Sequence, residues 1–226
     1  MAAVAMNTEK ARFNMIQQQI RPWDVLDASV LGLLSVVRRE EFVPAAHKDL
    51  AFADVEIPLK ATALAGQKML APRLEARLLQ ELAIKNTDTV LEIGAGSGYM
   101  AALLAAKAEF VYSVEIDPDL VDLARTNLKK AGVANVSVDL GDAALGWDLY
   151  VPYDAIMVSA SMPVLPESLL RQLKVGGRLV AIVGEEPTME AQLVKRVDEN
   201  AFSTVNLFET VVASLVNARQ PHKFSF

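Results

Sequence analysis

The stretch Leu91-Glu92-Ile93-Gly94-Ala95-Gly96-Ser97-Gly98-Tyr99 constrains this chain more than any other. A β-rich run, 89–93, ends in three alternate glycines, and a helical run opens directly behind them. Glycine adopts positive φ without the cost of a Cβ and lets the main chain come close to a ligand. A strand, glycine turn and helix in this order belong to alternating α/β proteins, whose ligands bind in a crevice at the carboxyl ends of the strands.

The rest of the chain from Thr89 keeps that alternation. Strands are expected at 89–93, 110–116, 135–140, 154–159 and 178–184, with helices at about 98–107 and 118–130 and another starting at Pro166. The second helix is well punctuated: Asp117 suits the N-cap, Pro118 the first helical position, Lys129 and Lys130 the negative end of the dipole, and Gly132 the exit. Gly176-Gly177 reads as a turn before 178–184. Two runs at 191–197 and about 205–216, separated by Asp198-Glu199-Asn200, read as an antiparallel pair finishing the sheet. The fold class is therefore α/β, with a doubly wound, mostly parallel sheet.

Ahead of this core the pattern is helical. Phe13, Ile16 and Ile20 recur at helical spacing, as do Val30, Leu33, Leu34 and Val37 behind a cap at Asp27. Between Phe42 and Leu70 the periodicity breaks, and short extended pieces or loop are expected. Pro72 then opens a helix whose Leu74, Leu78 and Leu82 share a face. The expected organisation is a mainly helical extension, 1–71, packed on a ligand-binding core, 72–226.

Composition narrows the function. The 226 residues are 52% hydrophobic and 22% charged, which excludes a disordered chain. Basic residues number 22 against 28 acidic ones, for a net charge of −6, and no basic patch for a nucleic-acid partner stands out. Without cysteine there is neither disulfide nor thiolate chemistry. The opening MAAVAMNTEKAR carries no basic leader, and no run approaches the ~20 apolar residues that cross a bilayer. A cytoplasmic protein without membrane or nucleic-acid partner is expected. The two histidines, His47 and His222, read as surface or structural, and no metal-ligand set is evident.

The spacing of Gly94, Gly96 and Gly98 departs from the dinucleotide fingerprint, because Tyr99 occupies the place of its third glycine. Glu92, just ahead of the turn, would repel a pyrophosphate and attract an ammonium group. Glu115 ends the second strand, where an acid can accept from both hydroxyls of a ribose. Asp142, after Gly141 at the end of the third strand, could accept from an adenine amino group. Glu115 or Asp142 alone is explained by an ordinary strand end, and a plain tight turn with a solvated Glu92 is the minority reading of the glycines. Together they place three acceptors along one sheet edge, matching the ammonium, ribose and adenine of S-adenosyl-L-methionine.

These residues resemble a class I S-adenosylmethionine-dependent methyltransferase, through LEIGAGSGY, Val114-Glu115-Ile116-Asp117 and the segment LGDAALGW at 140–147. Over nearly its whole length the chain resembles the protein-L-isoaspartate O-methyltransferase family. The similarity includes Arg38-Arg39-Glu40-Glu41-Phe42-Val43-Pro44, Leu50-Ala51-Phe52-Ala53-Asp54, Val151-Pro152-Tyr153-Asp154-Ala155-Ile156 and QLKVGGRLVAIVG at 172–184. The resemblance implies Glu92, Gly94, Gly96, Glu115, Ile116, Gly141 and Asp142 as cofactor-binding residues. It also implies a protein-repair enzyme that methylates the carboxylate of isoaspartyl residues in damaged proteins or peptides.

One segment departs from that pattern. Where the family has Gly-x-Gln-Thr-Ile-Ser-Gln-Pro, this chain has, within Leu64-Ala65-Gly66-Gln67-Lys68-Met69-Leu70-Ala71-Pro72, Leu70 in place of the active-site serine. Two readings stay open. Gln67, Lys68 or the amides of 66–70 orient the carboxylate, with a solvated Lys68 as the plainer alternative. Otherwise the chain binds the cofactor and methylates another acceptor, or serves as a non-catalytic interaction module.

Overall fold

The computed structural model describes residues 7–60 and 67–221, so the expectations placed on Gly66 and His222 lie outside the described residues. Helix α1 (Thr8–Asn14) starts at Asn7, whose side chain accepts from the Lys10 amide. It runs on into a π turn, Met15–Ile20, and a tight turn, Arg21–Trp23. The wider π turn rotates the inward stripe onto Met15, Ile16 and Ile20 and leaves Phe13 61% exposed, against its expected place on that face. Helix α2 (Ala28–Val36) is capped by Asp27, whose carboxylate accepts from the amides of Ser29 and Val30. The expected loop after it contains two 3-10 turns, at Arg39–Glu41 and Ala45–Leu50, before strand β1 (Ile57–Pro58) pairs antiparallel with β2 (Lys68–Met69). His47 is half-buried.

Helix α3 (Pro72–Leu82) has proline at its first position and buries Leu74, Leu78 and Leu82 as expected. The core then follows the alternation read above. Its elements are β3 (Thr89–Ile93), α4 (Tyr99–Ala105), β4 (Phe110–Glu115), α5 (Pro118–Lys130), β5 (Val136–Leu140), β6 (Tyr153–Met162), α6 (Glu167–Arg171), β7 (Leu173–Glu185), β8 (Thr188–Asp198) and β9 (Ala201–Glu209). Asp117 caps α5 through the amides of Asp119 and Leu120, and Gly132 leaves it at φ +72°.

Seven strands form one sheet in the order β5-β4-β3-β6-β7-β8-β9. The first five are parallel, and β8 and β9 close the edge as an antiparallel meander. The chain winds outward from β3 to β5, then crosses back to β6 and winds the other way. Right-handed crossovers consequently put α4 and α5 on one face and α6 on the other. On the first face Val90, Val111, Val138, Met157 and Val180 pack with α3, α4, α5 and the N-terminal helices. On the second, Leu91, Ile93, Val114, Ile156 and Leu179 pack with Leu169 of α6, Ala143 and Trp147.

Two expectations are corrected. Gly176-Gly177 lies within β7 rather than at a turn before it. The register passes from Tyr153 opposite Leu173 to Ala155 opposite Arg178, so extra residues bulge out of β7. Gly176 takes φ +85°, and a Cβ on Gly177 would stand 2.8 Å from the Lys174 carbonyl. The run at 205–216 is not all strand either: β9 ends at Glu209, and the following residues return across the strand tips. There Ser161 donates its amide to the Ala213 carbonyl and accepts from the Leu215 amide, both at 2.9 Å.

Candidate functional site

The connections from β3 and β6 run to opposite sides, which opens a crevice at the carboxyl ends of the neighbouring strands. The glycine turn forms its floor. Gly94, Gly96 and Gly98 all have positive φ, at 93°, 53° and 82°. Gly98 also permits close packing of α4 on α5, since a Cβ there would meet the Ala124 carbonyl and Leu128 Cγ at 3.2 Å.

Glu115 stands at the tip of β4 and is 7% exposed. Its Oε2 accepts from the Gly96 amide at 2.9 Å and its Oε1 from the Asp117 amide at 3.0 Å. Each oxygen keeps a lone pair for a ligand hydroxyl. The carboxylate thus occupies an amide that a pyrophosphate would need, and adds a charge that would repel one. Asp142, on the exposed rim, accepts from the Ala144 amide at 2.9 Å and from Asn217 Nδ2 at 2.8 Å. Gly141 lies against Trp147, whose ring a Cβ would approach to 2.5 Å.

The crevice has three adjoining lobes. The widest, about 610 Å³ and open to solvent, is lined by Leu59, Gln67, Lys68, Gly96, Glu115, Leu120, Ser159 and Leu215, among others. A lobe on the β5 side is lined by Ile116, Gly141, Asp142, Ala143 and Val216. A third, toward α3, is lined by Met69, Leu70, Glu75, Ser97, Met100 and Ser159. Gly94 borders all three. The donor set fits a nucleoside with an amino-acid tail: a carboxylate for a ribose diol, an apolar wall from Ile116, Leu120 and Val216 for a base, and a Gly96 amide already taken by Glu115.

Glu92 departs from its expected place beside Glu115 and Asp142. It shares the face of Val90, because side chains two apart on a strand point the same way, and it is completely buried under the crevice floor. Ser113 Oγ donates to its Oε2 at 2.5 Å, and Ser159 Oγ lies 3.3 Å from its Oε1. Burial pushes its carboxyl up to about 8, although both serine hydrogen bonds pull the other way. Glu92 is thus a largely neutral group near pH 7 that reaches the crevice wall through Ser159.

Gln67, Lys68 and Leu70 all line the crevice. Gln67 Nε2 donates to Asp117 Oδ2 at 2.7 Å, and Lys60 Nζ contacts the same carboxylate at 2.7 Å. Burial would raise Asp117, but these hydrogen bonds hold it below the usual carboxylate range. Lys68 pairs with Glu56 at 3.0 Å and stays 41% exposed. Leu70 is buried, and its carbonyl accepts from Arg39 Nη2 at 2.6 Å. Among the described residues no group of three or more His, Asp or Glu side chains is arranged to hold a metal, and no helix is long and apolar enough to cross a membrane.

Several lining residues were not anticipated: Leu59, Glu75, Ser159 and the returning stretch 214–216. Glu75 had a signal, since it is the one charge in the buried stripe Pro72, Glu75, Leu79 and Leu82 of α3. Ser159 and 214–216 had none, because strand pairing alone brings them here.

The profile of the family described as Protein-L-isoaspartate(D-aspartate) O-methyltransferase matches residues 10–220. The chain is 39% identical over 213 residues to the Protein-L-isoaspartate O-methyltransferase 2 of Pelobacter propionicus, covering 94% of this chain and 93% of that one. It is 42% identical over 188 residues to the Protein-L-isoaspartate O-methyltransferase of Methanoculleus marisnigri, covering 83% and 84%. A crystal structure of a Plasmodium falciparum protein of the same description, in complex with S-adenosyl-L-homocysteine, superposes with a TM-score of 0.75. It covers 93% of this chain and 99% of that one, and at 20% identity the likeness is one of fold.

Proposed function

The chain belongs to the protein-L-isoaspartate(D-aspartate) O-methyltransferase family, and from that membership we propose that it methylates the carboxylate of isoaspartyl residues in damaged proteins, using S-adenosyl-L-methionine, in the cytoplasm. The observation that carries this reading is the place of Gly94, which borders both the nucleoside lobes and the lobe at α3. A ligand lying over that turn could place its nucleoside toward Glu115, with Lys68 and Leu70 left to face its reactive end.

When bound, the cofactor supplies an electrophilic methyl on a positively charged sulfur. Glu115 would hold the ribose hydroxyls, Ile116 and Gly141 would flank the base, and Asp142 would accept from its amino group. Glu92 acts through Ser159 rather than by direct contact. The acceptor carboxylate is ionised at neutral pH, so the chain has no proton to abstract, and its task is alignment and exclusion of water. Gln67 and Lys68 orient that carboxylate from the mouth of the crevice, with residues 1–71 acting as the appendage that contributes this wall to the core at 72–226.

A second reading has a specific observation behind it. Leu70 and Met69 line the α3 lobe where the family carries a serine hydroxyl, which favours a homologue that binds the same cofactor and methylates a different acceptor. Incubation with methyl-labelled cofactor and an isoaspartyl peptide, beside its aspartyl isomer, separates the two. Ester on the isoaspartyl peptide alone is expected, and its absence overturns the repair reading.

A further inference from the structure

The α3 lobe contains a buried carboxyl group for which the transfer described above has no use. Glu75, in the first turn of α3, is 4% exposed and lines the lobe beside Leu70, Gly94 and Ser159. Its Oε2 stands 3.4 Å from Arg39 Nε. Yet Glu75 Oε2, Arg39 Nε and Arg39 Nη1 all lack a hydrogen-bond partner among the described residues. The remaining nitrogen of Arg39 is committed to the Leu70 carbonyl. Oε2 and these two Arg39 nitrogens are closed to solvent, and Oε2 is turned to Arg39, which leaves Oε1 as the Glu75 oxygen that a ligand in the lobe can reach.

Charge decides which ligand that is. An ionised Glu75 would confront an acceptor carboxylate with a like charge in a water-poor lobe, where repulsion is strong. A protonated Glu75 instead offers an O–H donor, which Leu70 cannot. Burial pushes Glu75 up to about 7, against the pull of Arg39, so the donor form is accessible at neutral pH.

We propose that Glu75, at the wall of the α3 lobe beside Leu70, is a catalytic residue whose carboxyl group donates a hydrogen bond to the acceptor carboxylate, in place of the hydroxyl missing at Leu70. The proposal rests on the carboxyl-methyltransferase reading. One acceptor oxygen forms the new O–C bond as the C–S bond breaks, and the electron pair of that bond stays on sulfur, which becomes a neutral thioether. The other acceptor oxygen accepts from Glu75, which keeps its proton throughout. The groups facing Glu75 are Arg39 from the 39–41 turn, Tyr99 from α4, Glu92 from β3 and Lys68 from β2 at the mouth of the lobe. Burial holds the Tyr99 hydroxyl protonated, which leaves Glu92 as the other titrating neighbour in this range.

The test follows binding of an isoaspartyl peptide to the full chain saturated with S-adenosyl-L-homocysteine, and the initial rate of ester formation, from about pH 6 to about pH 8.5. In the wild type the peptide affinity is expected to weaken about tenfold or more across that range. Glu75→Gln keeps a donor without titrating and should make the profile shallower, leaving only the part due to Glu92, while Glu75→Leu should lose at least about tenfold already at pH 6. Superimposable wild-type and Glu75→Gln profiles, or a Glu75→Leu chain that binds like wild type, overturn the assignment. No ester from the wild type at any pH overturns the carboxyl-methyltransferase reading and this assignment with it. Ester formation with an unaltered Glu75→Gln profile overturns this assignment alone. Should the variants fail to fold, carboxyl carbon NMR of the wild type decides: a Glu75 midpoint near 7 must rise when peptide binds, and an unmoved midpoint refutes the proposal.

Discussion

The main-chain amide of Gly96 donates to the Glu115 carboxylate at 2.9 Å. Through this bond the turn after β3 and the tip of β4 become a single unit. The other oxygen of Glu115 takes the Asp117 amide, and Asp117 caps α5 and receives Lys60 and Gln67. One carboxylate therefore holds the floor of the crevice, the start of a helix and, at one remove, the wall contributed by the N-terminal part of the chain.

Replacing Glu115 by alanine should weaken S-adenosyl-L-homocysteine binding by roughly 1–3 kcal/mol, the worth of charge-assisted hydrogen bonds. Calorimetric titration reads this directly. Wild-type affinity in Glu115→Ala would remove the ribose contact from the account of the site.

Stability should fall with rising pH because of Glu92. Burial raises its folded pKa from 4.5 to about 8. The folded chain then holds a proton that the unfolded chain has released, so the full stability is present below about 4.5 and drains away as pH climbs toward 8. Glu92→Gln has nothing to release. Urea midpoints measured at pH 5, 6.5 and 8 should decline less steeply in the variant, and parallel declines would exclude Glu92 as the cause.

Gly98→Ala tests the turn itself. The residue sits at φ +82°, and its new methyl would meet the Ala124 carbonyl and Leu128 Cγ at 3.2 Å. Left-handed backbone alone costs an L-residue about 1–2 kcal/mol, and the contact adds to it. A drop in the urea midpoint beyond that of an exposed control such as Gly32→Ala, which has nothing within 4 Å of its new methyl, is the expected result.

Arg178 of β7 joins α3 to the sheet. It donates to the carbonyls of Leu82 and Ala83, both at 2.7 Å, and to Asp88 Oδ2 at 2.6 Å. Arg178→Met leaves Asp88 buried without its cation and two helix-end carbonyls unpaired, a loss of about 3–5 kcal/mol. Denaturant unfolding measures it, and the partner change Asp88→Asn in the same background should recover part of the loss.

How far these features could be read in advance depended on the range of the forces behind them. Asp117, Pro118 and Gly132 act on their own helix, and α5 begins and ends where they indicate. The runs at 89–93 and 110–116 carry their own β character and became neighbouring parallel strands. Gly176-Gly177 looked like a turn because a bulge is defined only by the partner strand, here β6. Phe13 looked inward because a period of 3.6 was assumed across a segment that widens at Met15. In the crevice, the positions of Glu115 and Asp142 followed from counting to the strand ends. The face taken by Glu92 needed the sheet, since strand alternation pairs it with Val90 but does not say which layer Val90 meets.

Residues 210–217 leave the far edge of the sheet, and Leu215, Val216 and Asn217 end as part of the crevice wall or its rim. Their docking and the filling of the crevice therefore share one free energy. Occupancy should slow fraying of this stretch and shield it from proteases, so the rate at which its peptide bonds are cut becomes a gauge of how much of the protein is loaded.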